Sequence, residues 1–297
     1  MAVLELGTNS LKLHLYRPEE NRFWPYKREW EAGYDIWSVG SLSETGIEAI
    51  LADVRELLDE HDLRDNEELF GVATGALAEA ENNGVLVQRL GRECAIPIRV
   101  LTGNEEANLL IHGFAEHLDK RPSVILDLGG GRLRTVVVGE SWNLTETLAL
   151  GVIQVQQVGA FASEDWHQDT AERYILEQLK NAHRGPFLPD VYATGGTVKA
   201  ISQVAGTPHL SLEILDEVEQ SVRRNGVPDY LSARRRGIFM PGLLVLRHVL
   251  HHVGGERLHY HHFQLGDTLM EHLRPFYKTF GGKLRRAFID REFELFS

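Results

Sequence analysis

Val124-Ile-Leu-Asp127-Leu-Gly129-Gly130-Gly131-Arg132-Leu-Arg134-Thr-Val-Val-Val138 decides how the rest of the chain is read. An apolar run ending in an acid, a turn of three glycines and a second apolar run predict two antiparallel strands in a sheet covered on both faces. Consecutive glycines let backbone N–H groups approach an anion, because no Cβ stands in the way. An acid at the lip of such a turn suits a metal-bound phosphate. A plain hairpin would account for the stretch equally well if it stood alone. It does not stand alone: Leu4-Glu5-Leu-Gly7-Thr8-Asn9-Ser10-Leu-Lys12-Leu repeats the pattern of strand, acid, Gly, small polar turn and strand about 120 residues earlier.

A repeat at that distance predicts two similar halves. The 297 residues, 43% of them hydrophobic, are enough for two cores. The first half reads as a hairpin over 1–17, a strand from Arg22 to Trp30, a helix opening at Ser43, and then alternating strands and helices to about Leu118. The expected division is 1–119 and 120–297, hinged at Asp119-Lys-Arg-Pro122, with the last ~20 residues packing back on the first half. The second half repeats the plan from strand 123–127 onward, and its last third is mostly helical. A net charge of −12 argues against general nucleic-acid or anionic-membrane binding, so any polyanion site must be a local basic pocket. A single cysteine, Cys94, excludes an internal disulfide framework. With no apolar run of ~18 residues, the expectation is a cytoplasmic protein outside the membrane.

Four stretches are expected to line a cleft between the halves: Glu5–Ser10, Gly103–Glu106, Asp127–Arg134 and Thr194-Gly195-Gly196-Thr197. The last follows a strand and opens a helix, which offers both a turn and a helix N-terminus to a phosphate. A structural αβ loop explains it as well. Of Glu105 and Glu106, at a predicted helix start, one is expected to cap the helix and the other to act as a general base.

These stretches, together with Val72-Ala-Thr-Gly-Ala-Leu-Ala-Glu-Ala80 and the looser Arg234-Arg-Arg-Gly-Ile-Phe-Met-Pro-Gly242, resemble the exopolyphosphatase / guanosine pentaphosphate phosphohydrolase (Ppx/GppA) family. The resemblance covers nearly the whole chain. It implies the actin-like ATPase fold: two ribonuclease H-like α/β domains, each a mixed five-stranded sheet flanked by helices, around an interdomain cleft. It further implies hydrolysis of a phosphoanhydride, with Glu106 as the base. Gly7, Thr8, Asn9, Ser10, Gly129, Gly130, Gly131, Gly195, Gly196 and Thr197 would hold phosphate, and Asp127 and Glu5 would hold Mg2+. Polyphosphate or a phosphorylated guanine nucleotide would be the partner, and a homodimer the assembly.

The chain departs from that family in several places. Glu5 replaces the usual Asp, and Ala78 stands where the family carries a phosphate-contacting arginine. Arg132-Leu133-Arg134 replaces Ser-Thr-Glu, whose acid helps to hold the metal. We therefore expect Arg132 or Arg134 to supply the lost arginine's charge and part of the cation's work, leaving Mg2+ weakly bound or dispensable. A binding protein that has lost turnover and a small-molecule kinase are the alternatives. A further His-rich stretch, His248, His251, His252, His259, His261 and His262, has one helical i, i+4 pair but no recognisable metal motif.

Overall fold

The structure, a computed structural model, describes all residues except 9, 18–21, 31–35, 37–38, 65, 67, 119–121, 161–165, 184–189, 281–282, 293–294 and 296–297. In chain order the first stretch contributes β1 (Ala2–Leu6), β2 (Ser10–Arg17), β3 (Arg22–Glu29), α1 (Glu44–Glu60), β4 (Leu69–Ala73), α2 (Ala76–Glu79), α3 (Asn83–Cys94), β5 (Ile98–Val100) and α4 (Gly103–Gly113). The middle contributes β6 (Ser123–Leu128), β7 (Leu133–Val138), β8 (Asn143–Leu148), α5 (Val152–Ala160), α6 (Gln168–Lys180), β9 (Asp190–Thr194), α7 (Gly196–Ala205), β10 (His209–Ser211), α8 (Leu212–Asn225), α9 (Ala233–Gly237), α10 (Phe239–His252) and β11 (Arg257–Tyr260). Two helices close the chain, α11 (Leu265–Phe280) and α12 (Leu284–Ile289).

Two compact units result. The first joins Met1–Gly113 to Gln264–Ser297, and the second is Phe114–Phe263. The division differs from the expected 1–119 and 120–297 in how much of the C-terminal end returns to the first unit. The reason is packing: α11 carries its apolar side onto β1, β2 and α4, with Leu269, Met270 and Leu273 fully buried. That burial begins a full helix earlier than the terminal ~20 residues.

Within the first unit the sheet order is β3-β2-β1-β4-β5, with β1–β2 and β2–β3 antiparallel and β1–β4–β5 parallel. Every residue of β1 is buried, as a strand covered on both faces requires. Helix α1 shows how locally the sequence dictates structure. The Ser43 hydroxyl accepts from the Gly46 N–H at 3.0 Å, and Ile47, Ile50, Leu51, Val54, Leu57 and Leu58 form the buried stripe.

The second unit repeats this order as β8-β7-β6-β9-β11, with β10 added beyond β11. Its sheet is thus six-stranded rather than five-stranded. The extra strand has three residues, too few to show a period in sequence. Among the described residues no helix is long and apolar enough to cross a membrane.

Candidate active site

The two glycine-bearing turns are built alike. In the first, the Gly7 N–H donates to the Ser10 carbonyl at 3.0 Å; in the second, the Gly129 N–H donates to the Arg132 carbonyl at 3.0 Å. In each, the acid ending the first strand lies directly across the antiparallel ladder from a base on the second, Glu5 from Lys12 and Asp127 from Arg134. Residues opposed in this way share a face, with Cβ atoms roughly 5 Å apart.

In the first unit Glu5 is buried, with both carboxylate oxygens occupied. Oε1 accepts from Lys12 Nζ at 2.6 Å, while Oε2 meets His14 Nε2 at 3.2 Å and accepts from the Gly266 N–H at 3.1 Å. His14, fully buried, reaches Asp267 with its other nitrogen at 2.7 Å. Burial acts to raise the Glu5 carboxyl, but the Lys12 charge and the His14 contact outweigh it and hold it well below the usual carboxylate range. Burial acts against the His14 cation as well, and the bonds to Asp267 and Glu5 overcome it, raising the imidazole above its ordinary value.

The β1–β2 turn is tied to the β4–α2 corner. The Thr8 hydroxyl accepts from the Ala76 N–H at 3.0 Å, and Gly75 adopts φ +58°, a conformation glycine takes without penalty. The adjacent Gly75 N–H donates to Glu106 Oε1 at 3.2 Å. Glu106 lies in the first turn of α4, 6% exposed. Its neighbour Glu105 caps the same helix. Glu105 Oε2 accepts from the Thr102 N–H at 2.8 Å, the Thr102 hydroxyl accepts from the Glu105 N–H, and Arg99 and Arg291 pair with Oε1. Glu105 is thus the cap, and Glu106 turns to the Gly75 loop.

In the second unit the β6–β7 turn is fastened to the N-terminus of α5. Val152 N–H donates to the Gly129 carbonyl at 3.1 Å and Ile153 N–H to the Gly130 carbonyl at 2.8 Å. Gly151 makes this approach possible: a Cβ there would overlap the Gly131 backbone. Asp127 also pairs in register with Thr194 of β9, so the triple-glycine turn and the Gly195–Thr197 corner adjoin on neighbouring strands. Gly195 sits at φ +113°, and a Cβ on it would strike the Leu128 carbonyl. Gly196, at the start of α7, lies under the guanidinium of Arg235, which would collide with any Cβ there. Arg134 is 8% exposed. Arg132 lies near enough to Tyr174 for its charge to oppose the rise that burial gives that hydroxyl.

Known proteins bear on this arrangement. The model of the Ppx/GppA phosphatase family matches residues 40–206, more than half of the chain. The chain belongs to that family. A candidate exopolyphosphatase of Haemophilus influenzae is 23% identical over 193 residues, so the match spans 59% of this chain and 59% of that protein's length. Among solved structures, an exopolyphosphatase from Cytophaga hutchinsonii superposes with a TM-score of 0.72 at 17% identity, covering 100% of this chain and 99% of that one. The Aquifex aeolicus Ppx/GppA family member gives 0.68 at 18%, covering 94% and 97%. At such identities the structures speak for the fold, which is the expected actin-like ATPase α/β architecture.

The predicted family residues fall into two groups. Glu5, Gly7, Thr8, Ser10 and Glu106 belong to the first unit; Asp127, Gly129, Gly130, Gly131, Arg132, Arg134, Gly195, Gly196 and Thr197 belong to the second. Asn9 lies outside the described residues. The family's metal acids are a poor fit to a divalent cation here: Glu5 has both oxygens engaged, and Asp127 faces an arginine across the ladder. The sequence offered Arg235 only within Arg234–Arg236, a run read either as a polyphosphate track or as a solvated helix face, and Gly151 was overlooked. Its position between a strand and a helix was the signal for Gly151 that went unused.

Proposed function

We propose that this chain releases terminal phosphate from inorganic polyphosphate or from a guanosine pentaphosphate-like nucleotide. Water attacks the terminal phosphorus, its proton passes to Glu106, the bridging P–O bond breaks, and orthophosphate leaves. The observation that carries this reading is Glu106 itself, a buried carboxylate held at 3.2 Å by the Gly75 N–H on a capped helix. A base fixed by a backbone donor and a rigid first turn needs little reorganisation during proton transfer.

The groups suited to holding phosphate lie in the second unit. The glycine backbone of the β6–β7 turn, the N-terminus of α7 and the guanidinium groups of Arg134, Arg132 and Arg235 form an electrostatic clamp for a polyanion. In this reading arginine does the charge neutralisation for which the family uses a metal ligand, and Mg2+ arrives as the counter-ion of the polyphosphate.

The test is phosphate release from polyphosphate and guanosine pentaphosphate, with Mg2+ and with chelator. The wild type is expected to release phosphate in both conditions, and Glu106→Gln to lose roughly a hundredfold or more. Absence of release from either substrate would sink the hydrolase reading. The opposition of Asp127 to Arg134 also favours a second reading, a polyphosphate- or nucleotide-binding protein without turnover. Tight binding with no release over hours would identify it.

A further inference from the structure

The His-rich stretch of sequence does not stay together in the fold. His248, His251 and His252 lie on α10, whereas His259 lies on β11 and meets a histidine from elsewhere, His209 of β10. These two are direct partners across the antiparallel ladder, and their Nδ1 atoms approach to 2.7 Å. The rings stand at 76° to each other at the outer edge of the second unit's sheet. On the other side of β11, Tyr192 of β9 is the register partner of His259, its ring 5.7 Å away, and backs the imidazole.

We propose that His209 and His259 form a chelating site for a borderline divalent transition-metal ion such as Zn2+ or Cu2+, with water in the remaining positions. Metal–imidazole bonds run about 2.0–2.1 Å, which places two ligand nitrogens roughly 3 Å apart around one ion. The two nitrogens, 2.7 Å apart, must separate by roughly half an ångström and turn both lone pairs toward one ion, a motion open to rings at a sheet edge. The backbone, through strand register, has already fixed the two Cβ atoms on one face, so little ordering remains to oppose binding. Among the described residues no set of three or more metal-binding side chains converges, so the protein contributes two donors and the ion keeps open positions. Imidazole donors favour Zn2+, Ni2+ and Cu2+ over Mg2+, so this site does not draw on the cation that accompanies a phosphate substrate.

The experiment is calorimetric titration of the tag-free, chelator-treated full chain with Zn2+, beside His209→Ala, His259→Ala and, as a control on α10, His251→Ala. One site is expected in the wild type and in His251→Ala, weakened at least tenfold in each of the other two variants, with no competition from excess Mg2+. Cu2+ bound to the wild-type chain should show coupling to two imidazole nitrogens by electron paramagnetic resonance, which needs no variant to fold. Unchanged Zn2+ affinity in both β-strand variants, or a copper signal without two nitrogens, would overturn the site.

Discussion

In the first unit the acid at the end of the leading strand is enclosed: Lys12, His14 and the Gly266 N–H take up Glu5, and Asp267 takes up the far side of His14. In the second unit the corresponding acid, Asp127, is opposed by Arg134, Arg132 follows the triple glycine, and Arg235 lies over Gly196 at the adjoining corner. The backbones are equivalent, down to the Gly-to-i+3 turn bond of 3.0 Å in each. One set of main-chain hydrogen bonds therefore supports two different uses of an acid–base pair. The first turn uses its charges on one another, as structure; the second gathers three arginines along its turn and the adjoining corner, which suits a polyanion in a protein whose net charge is −12.

The contrast can be broken most directly at Glu5. Glu5→Ala leaves Lys12 and His14 facing a buried site without their acid, and should cost about 3–5 kcal/mol, the usual penalty for removing one partner of a buried pair. Asp127→Ala, at a half-buried strand end, should cost far less when both variants are unfolded by denaturant titration. Equal losses would show that the two acids play one role after all.

A smaller effect is expected from Arg134→Ala. If this arginine clamps phosphate, phosphate release should drop by roughly a hundredfold, and polyphosphate affinity should fall with it. Unaltered release and affinity would refute charge compensation in the second turn.

The smallest effect is the pH dependence of the first turn. His14 binds its proton more tightly when folded, so its contribution is complete below the unfolded value of 6.5 and fades as pH rises through the raised folded value. Glu5 behaves oppositely: its contribution is complete above 4.5 and fades as pH falls through its depressed value. Stability should therefore be greatest in the window between, and His14→Asn should flatten the alkaline side of the profile. A wild-type curve that keeps rising from pH 6.5 to 8 would contradict the network.

Much of this could be read from sequence because it is local. The acid, the glycines and the returning apolar strand lie within fifteen residues, and the stripe of α1 repeats with the helical period. That one of Glu105 and Glu106 caps a helix start was also legible, though only the bonds to Thr102 assign the cap to Glu105. What escaped was long-range. Asp267 lies 253 residues from His14, and nothing near either position announces the other. The same holds for Arg235 over Gly196 and for His209 opposite His259, where packing and strand register supply the partner. The metal expectation at Glu5 rested on the acid alone and could not foresee that the Gly266 N–H and His14 would claim one of its oxygens.

The return of Gln264–Ser297 to the first unit also sets an order of assembly. Chains are made from the N-terminus at a few residues per second, and domains tend to fold as their residues emerge. The second unit is one continuous stretch and can close while synthesis is still under way. The first unit, although begun earlier, must wait for Gly266 and Asp267 before Glu5 and His14 have all their partners. On the ribosome, the half of the molecule that starts first is therefore the half that finishes last.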